Sequence, residues 1–212
     1  MNGEGRPREA AAPGWGARLL GLGERRLVLA SASPRRASIL EALGVRFEVR
    51  PVRLQEGREA GETPAQTCLR LARAKAVAAA RKGEDALVLG ADTVVVLDGE
   101  VLGKPRDDRE AEAMLQRLSG RVHIVLTALA LLRAWDGAMF TGVEETRVRF
   151  LSLSREDIEA LVASGEPMDK AGAYGIQGSA AVVVERIEGD YYNVVGLPLA
   201  RLRRVIGEAT QP

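Results

Sequence analysis

The sequence predicts an α/β fold built on one mixed sheet. Three observations carry this: apolar runs of strand length alternate with segments of helical periodicity, capping signals open the helices, and a long polar-faced hairpin interrupts the alternation in the middle. Only 4% of residues are aromatic, so the core must be aliphatic.

Leu27-Val28-Leu29-Ala30 reads as a short buried strand. Ser33-Pro34 then opens a helix with Ile39, Leu40 and Leu43 on one face and Gly44 at its end. Val45 to Val49 reads as a second strand. Thr63, Pro64 and Gln66 have the pattern of a capping box for an Ala-rich helix reaching about Lys82. Ala86 to Ala91 has the length of a buried strand, with Asp92-Thr93 at its end; Val94 to Leu97 follows, and Asp98-Gly99 turns the chain into Val101 and Leu102. Asp107 and Glu110 cap a helix to about Leu118. Two long antiparallel strands, Val122 to Leu132 and Thr141 to Leu153, are joined around Trp135-Asp136-Gly137. A helix from Ser154 to Gly165, a strand from Val182 to Ile187 and a short helix after Pro198 complete the order. The expected organisation is a disordered extension over 1–26, a single domain over 27–208 and a tail over 209–212.

Thirty Lys and Arg against twenty-nine Asp and Glu give a net charge of +1, which excludes a general polycationic nucleic-acid binder. A single cysteine, Cys68, excludes a disulfide framework, and a single histidine, His123, excludes a multi-histidine metal site. The longest apolar run, Ile124 to Leu132, falls far short of the roughly twenty residues that span a bilayer. Nor does the first stretch have the apolar run of a secretory signal, so a cytoplasmic location with no membrane partner is expected. His123 reads as a surface or structural residue, Cys68 as inert core, and Arg147 and Arg149 as a solvated strand face.

Three segments carry polar groups that folding does not require. In Ser31-Ala32-Ser33-Pro34-Arg35-Arg36, two arginines sit in the first helical turn, where the macrodipole disfavours cations. The segment is either a phosphate cradle or a Ser N-cap with two solvated arginines. In Gly90-Ala91-Asp92-Thr93 a carboxylate lies among valines, as general base, Mg²⁺ ligand or self-bonded turn residue. Lys75, centred on an apolar helix face, and Lys104, before Pro105, are either cations for a polyphosphate or snorkelling side chains. Asp169 to Gly178 holds Gly172, Gly175 and Gly178 around Gln177, whose amide can read a base edge; the alternative is a structural turn.

In their order, Leu29 to Arg36, Gly90 to Val94 with Gly103-Lys104-Pro105, Asp169 to Gly178 and Asn193 to Leu199 resemble the Maf family of nucleoside triphosphate pyrophosphatases. The resemblance implies an inosine triphosphate pyrophosphatase-like fold, a mixed twisted sheet in two lobes around a central cleft that holds the active site, and often a homodimer. It also implies hydrolysis of a nucleoside triphosphate to monophosphate and pyrophosphate with a divalent cation, Mg²⁺ or Mn²⁺. By the same resemblance Asp92 is the catalytic aspartate, accepting a proton from the water that attacks the α-phosphorus. Arg35, Thr93 and Gln177 match positions of substrate choice in the dTTP and UTP branch, which removes non-standard pyrimidine nucleotides. Ser31, Ser33, Arg36, Lys75 and Lys104 match phosphate positions, and Glu56 with Asp92 matches the metal positions. Other outcomes left open are an inosine, xanthosine or 7-methyl-GTP pyrophosphatase and a non-catalytic nucleotide-binding regulator of septation.

Overall fold

The computed structural model describes residues 14–54 and 57–211. Among the described residues, seven strands form one mixed sheet. Its strands are β1 (Leu27–Leu29), β2 (Glu48–Val49), β3 (Leu87–Leu97), β4 (Glu100–Leu102), β5 (Val122–Arg133), β6 (Met139–Phe150) and β7 (Val184–Glu188). The order is β2-β1-β3-β5-β6-β7, with β4 paired to β3. β1 runs parallel to β2 and β3, while the β3-β5-β6-β7 pairings are antiparallel. The mixed α/β class expected from the alternation is therefore the class observed.

β3 is the strand that matters most for the site. Its first half pairs with β1 through Leu89, and its second half pairs with β4 from Val95. Among the described residues, one edge of β3 lacks a strand partner between these two neighbours, while the other edge stays paired with β5 along its length. The sequence reading ended this strand at Ala91, but the structure carries it unbroken through Asp92 and Thr93 to Leu97. The reason is non-local: Asp92 and Thr93 register against Ala128 and Thr127 of β5, a pairing that no local signal announces.

The helices are α1 (Trp15–Leu20), α2 (Pro34–Ala42), α3 (Pro64–Ala79), α4 (Asp108–Leu118), α5 (Arg155–Ala163), α6 (Tyr191–Val195) and α7 (Leu199–Thr210). The capping box predicted at Thr63 to Gln66 forms with both reciprocal bonds, and Ser154 with Asp157 forms another at the start of α5. Asp107 caps α4 through the Glu110 N–H, but the Glu110 carboxylate accepts from Arg106 instead of closing the box. α3 stops three residues before the expected Lys82, and β2 keeps only two residues of the expected strand. Residues 179–183, part of which was read as strand, form a 3₁₀ segment ahead of β7.

Apolar groups collect into three clusters. One lies on one sheet face with α2 and α7 and includes Leu29, Leu89, Ala91 and Val205. A second, on α4 and α5, includes Val95, Leu115, Phe150 and Leu161. The third, against α3, includes Cys68, Ala72, Ala76, Val88 and Val94. Position 93 falls between the first two clusters, since Ala91 belongs to one and Val95 to the other. Within the stretch read as an extension, α1 is folded, and Leu20 and Leu22 join the first cluster; residues 1–13 of that stretch lie outside the described residues. α7 runs into the expected tail, with Ala209 buried. Among the described residues no helix is long and apolar enough to cross a membrane.

Candidate active site

The gap in β3 opens onto a cavity of about 370 Å³. Ser31, Ser33, Arg35, Arg36, Lys75, Asp92, Thr93, Lys104 and Gln177 all line it. Glu56, the remaining position matched by the family resemblance, lies outside the described residues.

Asp92 sits on the α3 side of the sheet, 6% exposed. Lys75 Nζ donates to its Oδ1 at 2.7 Å, from a side chain that is also buried. The lysine is thus not snorkelling, and the aspartate is not a self-bonded turn residue. A buried carboxylate costs several kcal/mol to desolvate and persists only when paired in this way. The approach depends on Gly90, where a Cβ would run into the Ala72 carbonyl, and on the small residues Ala72 and Ala76 facing it. Cys68 Sγ donates to the Asp92 carbonyl at 3.1 Å, and burial pushes its thiol up to about 12, so it is unreactive at neutral pH.

The two arginines of α2 behave differently. Arg36 is buried, and its guanidinium donates to the Gly196 carbonyl at 2.8 Å, Ser31 Oγ at 2.9 Å, the Ala91 carbonyl at 3.0 Å and Thr93 Oγ1 at 3.0 Å. It braces the cavity wall while lending it positive charge. Arg35 points across the cavity, where Nη1 donates to Asp169 Oδ2 at 3.2 Å. Ser33 occupies the N-cap position of α2 without a side-chain capping bond; its own N–H donates to Ser31 Oγ at 3.2 Å.

Thr93 Oγ1 lies 2.9 Å from Thr127 Oγ1, which donates to the Asn193 carbonyl at 3.0 Å. Asn193 Nδ2 in turn donates to the Val125 carbonyl and to Thr146 Oγ1. This buried network ties β3, β5, β6 and α6 together behind the cavity. Opposite, the Gly-rich segment forms two short 3₁₀ turns, Glu166–Asp169 and Ala171–Ala173, and then carries the exposed Gln177 into the lining. Tyr174 anchors it, with its hydroxyl 2.6 Å from His123 Nε2. His123, 1% exposed, is therefore a structural core residue, not a surface one.

Sequence reasoning passed over Asp169 and Lys170 as individual lining residues, although both open the segment it had singled out. It also passed over the His123–Tyr174 contact, which joins positions 51 apart and leaves no local trace.

The family model described as Maf-like protein matches residues 26–209. The chain belongs to the Maf family. It is 52% identical over 188 residues to a dTTP/UTP pyrophosphatase of Symbiobacterium thermophilum, covering 89% of this chain and 96% of that one. It is 46% identical over 183 residues to a dTTP/UTP pyrophosphatase of Aquifex aeolicus, covering 86% and 95%. Among solved structures it is similar to a HAM1 protein from Coxiella burnetii, with a TM-score of 0.42, 20% identity and coverage of 87% and 99%.

Proposed function

We propose that this Maf family member hydrolyses dTTP and UTP to the monophosphate and pyrophosphate, with Asp92 as the general base. The observation that carries the reading is the Lys75-paired Asp92 on a cavity lined by Ser31, Ser33, Arg35 and Lys104. The names borne by relatives of about half-identical sequence support the same substrates.

The chemistry follows from the lining. Lys75 and Lys104 offset the charge of the phosphate oxygens, and the serine hydroxyls donate to them. Arg36 adds charge from behind the wall. Asp92 accepts a hydrogen bond from water and aims its oxygen at the α-phosphorus. As the new P–O bond forms, the bond from the α-phosphorus to the bridging oxygen breaks and pyrophosphate leaves; the water proton passes to Asp92. Lys75 fixes the direction of that carboxylate. Among the described residues no group of three Asp, Glu, His or Cys side chains converges. The Asp92 carboxylate, set among the cavity's hydroxyls and cations, is a hard oxygen donor that would hold Mg²⁺ or Mn²⁺. Bound at Asp92, such a cation would supply charge neutralisation on the triphosphate. Glu56 is proposed as a second acidic ligand by family resemblance alone.

The test is product analysis with dTTP, UTP, ATP and 7-methyl-GTP in Mg²⁺. Monophosphate and pyrophosphate from dTTP and UTP are expected, with loss of at least about 100-fold in kcat for Asp92→Asn. Orthophosphate with nucleoside diphosphate would overturn the α-phosphorus mechanism. Turnover of 7-methyl-GTP above UTP would overturn the substrate assignment, and unchanged turnover in Asp92→Asn would remove that residue from its role.

A further inference from the structure

Asp169 is a charged group in the cavity that the phosphate chemistry does not use. It ends the first 3₁₀ turn, and both of its carboxylate oxygens are held: Lys170 Nζ donates to Oδ1 at 2.6 Å and Arg35 Nη1 to Oδ2 at 3.2 Å. Its mount is rigid. Lys170 Nζ also donates to the Glu166 carbonyl at 2.6 Å, with its stem lying where a Cβ on Gly175 would stand. The Glu166 carboxylate in turn accepts from Ser179 N at 2.8 Å and Ser179 Oγ at 3.0 Å, passing over Gly178, which has no Cβ to obstruct it.

Phosphate oxygens are anionic acceptors, so a carboxylate here repels them and needs a donor on the ligand. Uracil and thymine differ at C5, and their nucleotides here differ again at the ribose 2′ position. A site that takes both UTP and dTTP can read what they share: an imino N3–H donor between the O2 and O4 acceptors. Asp169 between Arg35 and Lys170 is the complement, an acceptor flanked by donors. Arg35 has N–H groups beyond the one spent on Asp169, and Lys170 has three donors against two bonds.

We propose that Asp169 is a specificity-determining residue that accepts the N3–H of uracil or thymine, with Arg35 and Lys170 donating to the flanking carbonyl oxygens. The proposal rests on the pyrimidine triphosphate reading above. Cytosine at N3 and adenine at N1 bring a lone pair against the carboxylate and are rejected. Guanine has an N1–H, but its 2-amino group meets a donor. A site built to bond a particular N–H rejects analogues lacking it far more strongly than one that discriminates by apolar fit.

The experiment compares kcat/KM for UTP, CTP and N3-methyl-UTP. With the unaltered protein, N3-methyl-UTP should be worse than UTP by about tenfold or more. In Asp169→Asn the side-chain amide can turn its N–H toward cytosine N3, so the UTP-to-CTP ratio should fall by about tenfold. An unchanged ratio with both substrates slowed equally, or N3-methyl-UTP turned over like UTP, overturns the proposal and leaves Asp169 as a brace for Arg35. The N3-methyl-UTP arm uses the unaltered chain and decides the matter even if the variant does not fold. Should the protein hydrolyse no triphosphate, the proposed function fails separately; calorimetric binding of UTP and CTP to both proteins then decides Asp169 by the same ratio.

Discussion

At the scale of single residues, His123 makes a prediction about stability. Its imidazole is packed edge-on against Phe150 and Tyr174, and burial holds its pKa down to about 4 from the usual 6.5. A lowered folded-state pKa means that the unfolded chain takes up the proton first, so stability is full above pH 6.5 and is lost as pH falls toward 4. The loss is on the order of 3 kcal/mol. Glu62 and Glu84, held at about 2 by Arg70 and Arg50, lose their contribution only below about pH 4.5. Urea midpoints should therefore fall between pH 6.5 and 4.5 in the native protein, and His123→Phe should flatten that slope. A slope that survives the substitution would assign the effect to other groups. The polar identity of position 123 was plain in the sequence, but its burial was not, because it depends on Tyr174 arriving from a distant loop.

At the scale of elements, the packing of α3 on β3 sets the reach of Lys75. Gly90 admits the helix backbone, and the Ala-rich face lets it come close. Gly90→Ala should cost about 2 kcal/mol by overpacking. It should also reduce kcat, because any outward shift of α3 lengthens the 2.7 Å contact between Lys75 and Asp92. Denaturant titration and steady-state kinetics check both; a stable, fully active variant would show that the close approach is dispensable. The helices were largely legible in sequence, since the Thr63 and Ser154 boxes act within three residues of the chain. The continuity of β3 and the 3₁₀ segment at 179–183 were not, because each is settled by neighbours distant in sequence: β5 along β3, and Glu166 bonding Ser179.

At the scale of the molecule, Arg36 ties the cavity wall together. One guanidinium joins α2, the loop after β1, the middle of β3 and the Gly196 turn ahead of α7. Gly196 holds φ +114 there, so its carbonyl is presented by a turn that an L residue rarely adopts. Arg36→Lys keeps the charge but cannot match a planar fork to these acceptors, and should lower stability by about 3 kcal/mol. A thermal or urea transition unchanged by that substitution would mean that the wall is held by other contacts. The sequence placed Arg36 among phosphate contacts; its bonds within the protein add a bracing role that only the assembled fold makes visible.

By itself the sequence determined the α/β class, most of the helix starts, the aliphatic core and the segments that meet at the cavity. These follow from periodicity, caps and ordered motifs, which act over a few residues. The tertiary structure alone decided that Asp92 lies within an unbroken strand, that Lys75 reaches it, and that Asp169 stands between Arg35 and Lys170. Each of these is a contact between distant parts of the chain or depends on one, made when β3 exchanges β1 for β4 and leaves its edge open to the cavity.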